Sequence, residues 1–195
     1  MKKLRVLILF FILLGLFVPV GVLAQEYLFD QQKLNMDVFV NEDGSISIGY
    51  TFALQNTPGG HILDYIDIGM PSSRFNLSEI EAEANGVPVS VSTADYQGDG
   101  SGFAVVMGSQ TIPSGGSGTL SVWVPRLDSW LRQDSDDENY ASFVISPSWF
   151  GKQYLTGATD MTVTIHLPPG VKPEEPRWHS APECFPAVEL LSADE

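Results

Sequence analysis

A single cysteine, Cys184, stands among the 195 residues. It has no partner for an internal disulfide, so no disulfide framework holds the fold. Cations are scarce as well: ten lysines and arginines against 24 aspartates and glutamates, a formal charge of −14. Three of those ten, Lys2, Lys3 and Arg5, lie in the first 24 residues, where no acid occurs, so loss of that segment would carry the charge to −17. Phosphate binding needs a basic face, which argues against nucleic acid as a partner. Docking on an anionic membrane by charge alone is disfavoured for the same reason. Past residue 24 no apolar run approaches the length that spans a bilayer, and no amphipathic helical periodicity is evident.

Reactive constellations are equally thin. The only histidines are His61, His166 and His179, and none has a second histidine or cysteine at ligand spacing. The acidic run Asp134, Asp136, Asp137, Glu138 resembles half a calcium loop, but Asn139 replaces the loop glycine and Ile145 the bidentate glutamate. The stretch 95–100 fails in the same way, with Val106 at the last ligand position. Neither 98–102 nor 114–118 has the spacing of a serine-nucleophile elbow. Cys184 sits among prolines without a basic neighbour to lower its pKa. Glu79, Glu81 and Glu83 share one strand face, and adjacent exposed acids are expected there as a guard on an edge strand. No catalytic residue, cofactor or metal is assigned, and the chain reads as a non-enzyme.

What is present begins with an export signal. Lys2, Lys3 and Arg5 precede an apolar stretch at 6–18, Pro19 and Gly21 break a helix, and Val22-Leu23-Ala24 presents a signal-peptidase site. Cleavage is expected between Ala24 and Gln25. The alternative is an uncleaved anchor, because the uncharged run 6–24 at about 1.5 Å per residue just spans a bilayer. In both cases the basic end stays in the cytoplasm and the domain lies outside.

Residues 25–33 read as a lead-in. Alternation then starts, with Leu34, Met36, Val38 and Val40 on one strand face, a turn at 41–44, and Ile46, Ile48, Tyr50, Phe52 and Leu54 on the return strand. Further strands are expected at 61–69, 79–84, 87–91, 103–107, 120–124, 140–146 and 161–167. Asn85-Gly86 is the chain's strongest hairpin signal, and Pro88 places that hairpin at a sheet edge. His166, out of phase with Val163, Ile165 and Leu167, is expected to face solvent. About nine short strands without a helix predict an immunoglobulin-like antiparallel β-sandwich over 34–170, with a β-barrel as runner-up. Residues 171–195 read as a proline-rich linker or a truncated C-terminal segment.

Three stretches carry a resemblance: 38–52 (VFVNEDGSISIGYTF), 111–124 (TIPSGGSGTLSVWV) and 162–171 (TVTIHLPPGV). They resemble the extracytoplasmic N-terminal β-sandwich of uncharacterised bacterial membrane or secreted proteins, over most of 34–171. The resemblance implies a surface module and maps no catalytic residue; such proteins usually carry a transmembrane segment after the sandwich.

Aromatic residues in loops complete the reading. Trp130, Trp149 and Tyr154 fall in the long connections 126–139 and 147–158 and are the candidate ligand-binding residues. Rings there either cap the open ends of a sandwich or stack on a ligand; capping is the favoured expectation for Trp130 and Trp149. The expected function is a non-enzymatic extracytoplasmic interaction, adhesion or sensory module whose partner is a protein or glycan at the cell surface. The alternative is a carbohydrate-binding module using the loop aromatics. Membrane contact is expected only through an uncleaved signal or an anchor absent from this chain.

Overall fold

The computed structural model describes residues 26–172 and 174–178. The cleavage position between Ala24 and Gln25, His179 and Cys184 lie outside the described residues. Among the described residues, ten strands make an all-β fold: β1 (Phe29–Val40), β2 (Ile46–Asn56), β3 (Tyr65–Met70), β4 (Glu81–Ala84), β5 (Val87–Ser92), β6 (Ser101–Val106), β7 (Ser117–Leu127), β8 (Arg132–Gln133), β9 (Ala141–Ser142) and β10 (Asp160–His166). Eight of them form one curled sheet in the order β10-β1-β2-β7-β4-β5-β6-β3, and β8 pairs with β9 in a separate ribbon.

The curl is made at β5. Its first half, Val87 to Val89, pairs with β4, and its second half, Ser90 to Ser92, pairs with β6. Inward side chains of β3 and β6, among them Ile66, Ile68, Phe103 and Val105, therefore join one core with Met36, Val38, Ile48, Phe52 and Val122. The Asn85-Gly86 turn that starts β5 has φ of 54° and 75° at its two residues, the pair of positive values a type I′ hairpin requires.

The β4–β5 hairpin is not at an edge: it lies between β7 and β6, which corrects the expectation drawn from Pro88. Pro88 is tolerated because it sits opposite Glu83 on a stretch of β5 that β6 does not reach. An unpaired flank inside the sheet needs no donor there. For the same reason Glu81 and Glu83 are not edge guards; they lie on the solvent face of an interior strand, with Ile80, Ala82 and Ala84 buried behind them.

β1 starts at Phe29 rather than Leu34. A bulge between Gln31 and Lys33 shifts the register, so that Phe29 and Gln31 are buried before it and Leu34 and Met36 after it. One extra residue breaks the period-2 pattern that marks a strand. A second irregularity sets Ile46 against Leu127 but Ile48 against Val124, which returns Leu127 to the core beyond a stretch that reads as polar.

Not every pairing is antiparallel. β10 adds to β1 in parallel, Leu34 beside Met161 and Val38 beside Ile165. Val163, Ile165 and Leu167 share the phase of buried Met36 and Val38 yet remain 38–46% exposed, because β10 is the end strand. His166, on the other face, is not simply solvated: its Nε2 donates to Asp37 Oδ1 at 2.8 Å and its ring stacks on Phe39 at 4.2 Å. Trp123 extends that outer-face cluster, meeting Phe39 edge-on at 5.6 Å. The expected strand at 140–146 contracts to the two residues of β9.

Candidate functional site

β10 and β3 are the two ends of the curled sheet, and a strap at 146–156 runs between the β1 side and β3. Its moorings are specific. Phe29 N–H donates to Tyr154 O at 2.9 Å, and Thr156 N–H donates to Phe29 O at 3.0 Å, fixing the strap to the start of β1. At the other side Gly69 N–H donates to Ser148 Oγ at 3.1 Å. Ser148 is buried, and Phe150 turns inward to meet Phe29 edge-on at 5.1 Å and Phe52 at 6.2 Å. Trp149 lies between these two inward residues and points the other way, 79% exposed.

A cleft of about 440 Å³ opens between this strap and the outer face of β3. Alternation along β3 puts Ile66, Ile68 and Met70 in the core and leaves Tyr65, Asp67 and Gly69 facing the cleft. Tyr27 meets Tyr65 edge-on at 5.4 Å, and its hydroxyl donates to Asp64 Oδ1 at 2.7 Å. Burial first, and that carboxylate second, push the Tyr27 phenol well above its usual range. Tyr96 covers the β3–β6 flank; a Cβ added at Gly98 or Gly102 would collide with its ring, so both glycines are required for its seat. The Tyr96 hydroxyl donates to Asp99 O at 3.2 Å.

Asp67 has an unusual setting. Its Oδ2 accepts from Gln97 N–H at 3.0 Å, while its Oδ1 is sealed from solvent without a hydrogen-bond partner. Desolvation pushes its carboxyl above the usual carboxylate range, and the Gln97 and Gly98 backbone groups oppose that shift. The residues lining the cleft include no lysine, arginine or histidine among the described residues. Such a site offers ring faces, carboxylates, amides and hydroxyls, which suit an uncharged polar or a cationic ligand and disfavour an anionic one.

Of the candidate residues, Trp149 and Tyr154 come together on the cleft, and Trp130 does not. Trp130 packs against the core as a cap, its Nε1 buried without a partner, beside a separate depression of about 200 Å³ lined by Arg74 and Arg132. Trp149 contradicts the capping expectation; Phe150 next to it does the capping instead. Tyr27, Tyr65 and Tyr96 join the site without being among the candidates that the sequence offers. Tyr65 had a legible signal, since it alternates with Ile66 and Ile68 and so had to face outward. Tyr27 and Tyr96 had none, because their positions depend on strand order. Among the described residues no group of three or more histidines, cysteines, aspartates or glutamates is placed to hold a metal ion, and no helix is long and apolar enough to cross a membrane.

Comparison with known proteins adds little. No family model and no curated protein matches the chain. Among solved structures, native yeast LTA4 hydrolase is similar over 57% of this chain at 15% identity with a TM-score of 0.38, and the match spans 18% of the hydrolase chain.

Proposed function

We propose that this chain is an exported, immunoglobulin-like β-sandwich that acts outside the cytoplasm as a non-enzymatic interaction, adhesion or sensory module. The N-terminal pattern of basic residues, apolar run, helix breakers and Val22-Leu23-Ala24 supports export. The curl that brings β3 and β6 into one core with β1, β2 and β7 supports the sandwich. The observation that carries the binding role is Trp149: a large ring held 79% exposed on a strap whose neighbours are hydrogen-bonded and packed. An exposed ring on a hydrogen-bonded strap favours contact with a partner, because part of the ordering needed for binding is already in place. Carbohydrate binding, the second reading, draws on Trp149 and Tyr154 and not on Trp130.

Fractionation of cells expressing the full chain tests the export reading. The product should be recovered outside the cytoplasm and start at Gln25, read by intact mass because an N-terminal glutamine cyclises and blocks stepwise degradation. Full-length chain retained in the cytoplasm would overturn it.

A further inference from the structure

Among the molecule's features the cleft between β3 and the strap has the most defined chemistry. Its volume of about 440 Å³ lies in the small-ligand range. Ring faces come from Tyr65, Tyr96, Trp149 and Tyr154, contributed by β3, the loop after β5 and the strap. Polar groups along the rim are the Gln97 and Gln153 amides and the Asp99 carboxylate, all exposed. Amides donate and accept, and a carboxylate accepts at both oxygens. A ligand that meets both sets must present apolar faces and a periphery of groups that donate as well as accept.

Charge narrows the class. No cationic side chain lines the cleft among the described residues, Asp67 and Asp99 do, and the whole chain is strongly acidic. Like charge across a contact costs several kcal/mol in order of magnitude, so phosphorylated, sulfated and carboxylated ligands are disfavoured. Asp67 Oδ1 is sealed, so this carboxylate supports the Gln97 loop rather than greeting the ligand.

We infer that the cleft binds a neutral saccharide, with Trp149 as the stacking face, Tyr154 beside it, and Gln97, Asp99 and Gln153 bonding the hydroxyls. The inference rests on the reading of this chain as a binding module and names its ligand class. Sugar rings carry C–H faces that lie against the electron-rich faces of aromatic rings, and their hydroxyls both donate and accept. The strap's moorings pre-form the site, which lowers the ordering cost for a small ligand.

The purified full chain should be titrated against cellohexaose, N-acetylated chitohexaose and mannohexaose, with heparin hexasaccharide, choline and spermidine as charged competitors. Binding to at least one neutral hexasaccharide is expected, weakened about tenfold or more by Trp149→Ala, an exposed residue whose loss leaves Tm unchanged. Trp123→Ala, on the outer face of β7 and outside the cleft, should leave affinity unaltered. Binding confined to heparin, choline or spermidine, no binding to any of the three neutral sugars, or neutral-sugar binding insensitive to Trp149→Ala would each overturn the inference. A chain that is exported and adheres to cells without binding these sugars defeats the ligand class alone. A chain that binds them but stays in the cytoplasm defeats the export reading and leaves the ligand class standing.

Discussion

Asp67 shows how a single carboxyl reports on the ground beneath the cleft. With one oxygen sealed and unpartnered, burial raises its folded pKa above the unfolded value near 4. For such a group the favourable contribution is complete below the unfolded pKa and is lost as pH rises through the folded one. Asp67→Asn keeps a neutral group at all pH values, so its Tm relative to the native chain should improve as pH climbs from about 3 to 7. A difference that stays flat with pH would show that Asp67 ionises in the fold as it does in the unfolded chain. A second residue tests backbone geometry. Gly86 at φ 75° occupies the second central position of the hairpin, and Gly86→Val there should cost about 1–3 kcal/mol by denaturant unfolding. Unchanged stability would mean that the hairpin relaxes to another turn at no cost.

At the scale of the element, the strap is held by few bonds, so removing one should be felt. Ser148 is buried and is the acceptor for Gly69 N–H, and Ser148→Ala leaves that edge donor of β3 without its partner. A loss of about 1–2 kcal/mol at an unchanged denaturant slope is expected; a neutral result would place the mooring wholly in Phe150 and the Phe29 bonds. The strands themselves were largely legible, because β2, the Asn85-Gly86 turn and the Leu120 to Val124 part of β7 keep strict alternation or turn chemistry. Bulges hid the rest: the start of β1 and the far end of β7 each slip by a residue, and a slipped strand no longer alternates. The sequence pattern starts the 61–69 strand four residues early because Ile62 shares the phase of Ile66 and Ile68, although it is exposed in the approach to β3. Of the cleft, the sequence marks only Trp149 and Tyr154. The rest is assembled by pairings between distant segments, β3 with β6 and Phe29 with Leu155, which no local pattern encodes.

Taken whole, the molecule is a sheet whose two flanks of β1 are satisfied at very different moments. β2 follows β1 across the short turn at 41–45 and can pair at once, whereas the partner on the other flank, β10, begins at Asp160. Closing a loop of that span costs chain entropy before any contact repays it, and such non-local pairings slow folding. Of the described strands, β10 is therefore the last to arrive and the first to leave. Hydrogen exchange should show its amides opening at a lower free energy than those of β2 and β7, which lie inside the sheet; equal protection would instead make the whole sheet one cooperative unit. The consequence reaches the biology of synthesis. Chain that emerges N-terminus first presents β1 through β7 well before Met161, and for that interval β1 carries one bare edge. β10, paired in parallel, acts as a latch set by time, and any variant that delays it prolongs the period in which another chain's strand can take its place.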